Sequence, residues 1–125
     1  MTASPHDPTP VPTDEERTVG VIVHAVPAAA LVLSAGTLGF VASLVIYLLY
    51  KDRGEYARRQ AANSLNVQIV TGIVLLVSIP LLFVLIGILT YPAGIVWAVL
   101  MHITGARRAS RGEWWSPPLT PRFVR

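Results

Sequence analysis

The 125-residue chain is 53% hydrophobic and only 14% charged, which is too apolar for a soluble domain of this size. Its formal charge of +3 does not indicate a nucleic-acid partner, because apart from Arg17 the basic residues lie in one short segment and in the C-terminal tail. The chain has no cysteine, which excludes disulfides, thiolate nucleophiles and sulfur-ligated metals.

The N-terminal segment, residues 1–12, contains four prolines and predicts a disordered tail. Helical order is expected to begin at Thr13, because Thr13 and Glu16 have the spacing of a capping box. We therefore assign a helical membrane domain to residues 13–110 and a cytoplasmic or interfacial tail to residues 111–125.

Two long runs, residues 18–50 and 60–106, contain no Asp, Glu, Lys or Arg. A charge at mid-bilayer costs roughly 2.5 to 3.5 kcal/mol, so such runs are typical of sequence within a bilayer. They predict an all-α integral membrane protein of about four hydrophobic helices.

The first run is longer than one span requires, and Gly36 and Gly39 predict a break within it. The first two helices, over about 14–35 and 38–51, then form a tight or broken pair. The second is short for a span and is a candidate re-entrant half-helix. The alternative is one tilted helix whose residues Ala35, Gly39 and Ser43 form a small-residue stripe.

Between the two runs lies a basic elbow, residues 51–59, which the positive-inside rule places in the cytoplasm together with the C-terminus. Within it, Glu55 and Arg59 have the spacing of a helical ion pair. Basic and tryptophan side chains of the elbow and tail are predicted interface anchors: Lys51, Arg53, Arg58, Arg59, Arg107, Arg108, Arg111, Trp114 and Trp115.

A third helix is predicted over about 55–85 and a fourth from about Thr90, as its N-cap, to 108. A helical stripe on the third helix contains polar side chains and should face protein, with apolar residues on the opposite side. The stripe consists of Gln60, Ser64, Thr71 and Ser78, with Asn63 beside it, and the opposite side of Ala61, Leu65, Ile69 and Leu76.

Polar side chains within the two runs form a candidate intramembrane cluster: His24, Gln60, Asn63, Asn66, Gln68 and His102. The histidines could relay protons or simply hydrogen-bond between helices, and the amides could line a polar site or join helices; we favour the structural interpretation for both. If both termini are cytoplasmic, His24 and His102 should lie at similar depth, close to Gln60 and Asn63.

Nothing in the sequence predicts an enzyme. No Gly-x-Ser-x-Gly motif is present, and no carboxylate lies within the charge-free runs to orient a histidine base. We expect no catalytic residues, no cofactor and no metal site.

The elbow and the start of the third helix, KDRGEYARRQAANSLNVQI at 51–69, resemble the signature of a small bacterial membrane-protein family of unknown function. That family is related to the Tic-type import component of the chloroplast inner envelope. The resemblance extends to His24, Lys51-Asp52, the LNVQ run at 65–68 and ASRGE at 109–113. It implies four hydrophobic helices with both termini inside, and no established activity. The chain departs from the usual pattern at Ser43, Gln60, Asn63, Ser64 and Pro117-Pro118.

Together these features and the resemblance predict a small structural or interaction subunit in the plasma membrane of a bacterium, which could assist protein translocation. The expected partners are the lipid bilayer and either further copies of the chain or another membrane protein. The alternative function is a subunit of an oligomeric channel or transporter, because four short helices are too few to enclose a pore alone.

Overall fold

The computed structural model describes residues 10–85 and 87–125. This part of the chain forms four α-helices, α1 (Asp14–Leu33), α2 (Gly39–Tyr50), α3 (Glu55–Leu81) and α4 (Gly87–Ser110), with a short 3-10 helix at Leu82–Val84. The predicted all-α fold of four helices is confirmed. Within the described residues, α1, α3 and α4 are long and apolar enough to cross a membrane. Most of the predicted disordered tail falls on residues 1–9, which lie outside the described residues.

The capping box at the start of α1 is formed as predicted. The backbone N–H of Glu16 donates to Oγ1 of Thr13 at 3.2 Å, and the backbone N–H of Thr13 donates to Oε2 of Glu16 at 2.8 Å. Two otherwise unpaired N–H groups are thereby satisfied. The helix continues through Pro27 to Leu33.

The chain turns after α1, which excludes the single tilted helix. Ala35 takes the left-handed conformation, with φ at 51°. The N–H of Gly36 donates to the Leu31 carbonyl at 2.8 Å and that of Ala35 to the Val32 carbonyl at 3.3 Å, which is the Schellman pattern. Alanine thus occupies the position that glycine usually takes at a helix end.

Side chains satisfy two further backbone groups of this turn. Ser34 Oγ accepts a hydrogen bond from the Leu38 N–H at 2.8 Å, and the Tyr91 hydroxyl of α4 donates to the Ala35 carbonyl at 2.7 Å. Backbone groups in a bilayer must find such partners within the protein, because lipid offers none. The turn is therefore chemically suited to lie in an apolar medium.

Helix α3 is the central element, and its first half is buried on almost every side by α1, α2, α4 and the C-terminal tail. The predicted polar stripe is buried, as expected. The apolar residues Ala61 and Leu65 on the opposite side are buried as well. Ala61 packs against Val23 of α1 and Ile46 of α2. The opposite side becomes exposed only farther along, at Leu76.

The connection between α3 and α4 differs from the prediction. Helix α3 ends at Leu81 rather than near 85, and α4 begins at Gly87 rather than at Thr90. Gly87 packs directly against the backbone of Ser78 and Leu82, where a larger residue has no room. Thr90 is consequently inside α4, and its hydroxyl lies 2.7 Å from that of Ser78 instead of capping the helix.

The α3–α4 hairpin extends beyond the α1–α2 turn. Gly36 of that turn lies beside Leu75 of α3 and Ile95 of α4. From Leu75 to the end of α3, and from Ile95 back to the start of α4, the helices continue for about 10 Å. We call residues 79–85 and 87–89 the α3–α4 tip. Helix α2, with 12 residues, is only about 18 Å long and does not reach it.

Candidate functional site

Two buried histidines join α1 to α4. Nδ1 of His24 lies 3.2 Å from Nδ1 of His102, and both side chains are inaccessible to solvent. Gly105, about one turn along α4, makes this approach possible. A Cβ at that position would come within 2.5 to 2.7 Å of the His24 ring.

Two glutamines of α3 continue the contact at either end. Gln60 Oε1 lies 3.3 Å from His24 Nε2, and Gln68 Nε2 lies 2.7 Å from His102 Nε2. Both amides are buried. The four side chains form a continuous Gln–His–His–Gln network in the order Gln60, His24, His102, Gln68, and it ties together three helices.

The hydrogen bonds of this network have one consistent direction. Gln60 Nε2 lies 3.5 Å from the backbone carbonyl of Glu113, which can only accept, so the Gln60 amide donates there and its Oε1 faces His24. His24 must then donate from Nε2, and its Nδ1 accepts from Nδ1–H of His102. That leaves Nε2 of His102 to accept from the Gln68 amide.

This arrangement assigns each imidazole a neutral form and a different tautomer. Both nitrogens of both rings are engaged, so no ring lone pair is directed at an open space. A relay of protons along the network would require every bond to reverse, and the Glu113 carbonyl cannot become a donor. The geometry therefore favours the interpretation that the histidines join helices, although the role of these residues stays a prediction.

The two asparagines of the candidate cluster bind the tail instead of the histidines. Asn66 makes a pair of hydrogen bonds with the backbone of Val124, donating to its carbonyl at 3.0 Å and accepting from its N–H at 2.8 Å. Asn63 donates to the Trp115 carbonyl at 2.5 Å. The tail consequently folds back along α3. The predicted division of the chain at residue 110 is untested by this packing and stays a prediction.

The predicted interface anchors fall into two groups. Lys51, Arg53, Arg58 and Arg107 are exposed and are not among the described residues paired with the tail by an ion pair or an aromatic ring. The others contact the tail, with Arg59 over the Trp114 ring at 5.5 Å, Arg108 over Trp115 at 5.9 Å, and Arg111 3.9 Å from Glu113. The expected Glu55–Arg59 ion pair is absent from the ion pairs of the described residues, because Arg59 turns toward Trp114.

Sequence reasoning missed three contributors to the site. Tyr56 is buried, donates to the Glu113 carbonyl at 3.0 Å and packs edge-on against Trp114. The Glu113 carbonyl fixes the direction of the network, and Gly105 makes room for His24. The role of a backbone carbonyl cannot be predicted from the sequence. A glycine one turn from a histidine inside an apolar helix, however, does indicate that a side chain packs closely there.

We predict that Gly105→Ala lowers the free energy of unfolding by about 1 to 3 kcal/mol, the usual cost of overpacking, because the new methyl group would collide with His24. Gly72→Ala is the matched control, since nothing lies within 4 Å of a Cβ there. In the control, the free energy of unfolding should rise by about 0.5 to 1 kcal/mol, because alanine has a higher helix propensity than glycine. Thermal unfolding in detergent measures both, and equal effects would contradict the packing.

We also predict that Asn66→Ala releases the end of the tail. Loss of both hydrogen bonds to Val124, each contributing about 0.5 to 1.5 kcal/mol, should speed tryptic cleavage after Arg122 by roughly tenfold. Thr120→Ala is the control, because the Thr120 hydroxyl bonds only within the tail, to the Pro118 carbonyl. Mass spectrometry of the digest gives both rates, and unchanged cleavage of the Asn66 variant would refute the tail contact.

Comparison with known proteins gives one family. No curated protein and no solved structure matches the chain. Residues 15–124 match the MamF/MmsF family, described as the magnetosome magnetite crystal formation protein family. The match supports the predicted small bacterial membrane-protein family, but not its relation to the Tic-type import component. Because the match covers all four helices and nearly the whole tail, this chain belongs to the MamF/MmsF family of magnetosome membrane proteins.

Proposed function

We propose that the chain takes part in magnetite crystal formation as a small structural or interaction subunit of the magnetosome membrane, and that it is not an enzyme. The family description supports the process, and the arrangement of charged and apolar surface supports the kind of role. On this proposal the chain acts through contacts with other membrane proteins or with copies of itself.

The α3–α4 tip is the observation that carries this proposal. From Arg59, the last charged residue of α3, to Leu81 the helix rises about 33 Å, which is already the thickness of a hydrocarbon core. The tip therefore lies at the far boundary of the bilayer. Its Phe83 and Leu85 side chains are 90% and 71% exposed. Large apolar groups at such a boundary favour a protein or lipid cover.

The charged groups all lie at the other end of the molecule. The elbow, the start of α1, the last turn of α4 and the tail contain every Asp, Glu, Lys and Arg of the described residues. The positive-inside rule supports a cytoplasmic position for this end, with the tip on the opposite face of the membrane. The tip offers apolar contact, and so it suits a partner protein better than it suits dissolved iron ions.

A channel or transporter subunit is the alternative. That function would require several copies, and the Gln–His–His–Gln network would then have to open to water. Translocation of proteins rests only on the resemblance of the elbow motif. Neither the family match nor the described contacts add support for it, so it is not part of the proposal.

The test uses a magnetite-forming bacterium that lacks its own family member and carries this chain. Two mean crystal diameters serve as references, that of the host with the wild-type chain and that of the host without it. We predict that Phe83→Ala moves the mean diameter at least halfway from the first value toward the second. A photo-crosslinker at position 83 should also yield a protein adduct. Electron microscopy and immunoblotting of membranes measure these outcomes.

Leu119→Ala is the control, because Leu119 is 86% exposed but lies in the tail at the charged end. It should leave crystal size at the wild-type value. Equal effects of the two variants would contradict the assignment to the tip. Ion flux through liposomes containing the purified protein, above that of empty vesicles, would favour the channel instead.

A further inference from the structure

A cleft at the charged end lies between α3 and the returning tail. One wall is a single face of α3, formed by Glu55, Arg58, Arg59 and Asn63 at helical spacing. The other wall is the tail, which contributes Arg122 and Arg125. The cleft exists only because the tail folds back over this face.

Hydrogen bonds hold the second wall in place. Asn66 lies one turn above the cleft on the same face of α3 and bonds both backbone groups of Val124. The Tyr47 hydroxyl of α2 donates to the Arg125 carbonyl at 3.2 Å. The Arg122 guanidinium donates to Ser116 Oγ at 3.1 Å. The wall is thus attached to two helices and braced within the tail.

The charge of the cleft is strongly unbalanced. Four guanidinium groups, those of Arg58, Arg59, Arg122 and Arg125, share it with the carboxylate of Glu55. The ion pairs of the described residues use Arg17, Arg108 and Arg111, and none of these four. Their positive charge is therefore available to an anion from outside the chain.

Position and size indicate what that anion is. Arg59 is the last charged residue before the long apolar run, so the cleft lies where headgroups meet hydrocarbon. Its volume is about 120 Å³. A single water needs about 10 to 15 Å³ of such volume, so the cleft has room for a phosphate group. The apolar residues Ala62 and Val124 line the same cleft, beside the position of an acyl chain.

We propose that this cleft binds the phosphate of one anionic phospholipid, with Arg58 and Arg122 contacting it from opposite walls. The site is independent of the role in crystal formation proposed above. It requires the tail to be docked, so lipid binding and tail docking stabilise each other.

The test compares two double variants that remove the same charge. Arg58→Gln/Arg122→Gln changes the cleft, whereas Arg53→Gln/Arg107→Gln changes exposed arginines outside it. Native mass spectrometry of the purified full-length protein counts retained phosphatidylglycerol and phosphatidylcholine. Wild type should retain one phosphatidylglycerol in preference to phosphatidylcholine. The cleft variant should bind at least about tenfold more weakly, from the loss of two basic contacts, while the control binds as wild type does.

Four results would overturn the assignment. Equal weakening of both variants would mean a diffuse surface attraction, and equal retention of the two lipids would mean no recognition of net charge. Displacement of phosphatidylglycerol by millimolar inorganic phosphate would make free phosphate the ligand instead of lipid. Asn66→Ala keeps all four arginines, and lipid retention as strong as wild type in that variant would show that the tail wall is not needed.

Discussion

The structure depends on one constraint, which is that a polar side chain buried in an apolar protein within a membrane must be hydrogen-bonded by protein. An unpaired amide or imidazole there costs several kcal/mol, on the order of 2 to 7. Gln60, His24, His102 and Gln68 meet that requirement only when α1, α3 and α4 are all in place. The network therefore selects one packing of three helices that are otherwise apolar and interchangeable in lipid.

The same constraint explains the irregular parts of the chain. The α1–α2 turn stops about 10 Å short of the α3–α4 tip, and its backbone groups are satisfied by Ser34 and Tyr91. The tail lies on the polar part of α3 because Asn63 and Asn66 need partners that no neighbouring helix supplies. By contributing the Glu113 carbonyl to Gln60, the tail also fixes which way the hydrogen bonds of the network run.

The helices could be predicted from the sequence because charge-free runs, a capping box and paired glycines are local signals. The histidine and glutamine residues could be selected because they are unusual in an apolar run. With both termini on one side, the two histidines were expected at similar depth, close to Gln60 and Asn63. The sequence did not predict that Asn63 would bind the tail backbone instead, because helical period gives no information about a segment from the other end of the chain. The burial of Ala61 was not predicted, because helical period alone does not show that α1 and α2 both pack on that side of α3. The start of α4 was predicted too late in the chain, at Thr90. Gly87 allows the helix to begin earlier, because it can pack in close contact with Ser78.

Membership of the MamF/MmsF family places these features in proteins associated with magnetite crystals, and the chain's two ends suggest separate tasks. The charged end contains the arginine cleft, and the apolar tip lies at the opposite end of the molecule. The Gln–His–His–Gln network lies between the charged end and the tip and fixes the positions of the helices that connect them. The existence of this network is therefore the central claim. Nitrogen-15 NMR of histidine-labelled protein in lipid bilayers, with His6→Gln removing the remaining imidazole, tests it most directly. The account predicts two neutral rings of opposite tautomer, His24 protonated on Nε2 and His102 on Nδ1, with a coupling across the two Nδ1 atoms. Two identical tautomers, or rings that exchange protons freely with water, would contradict it.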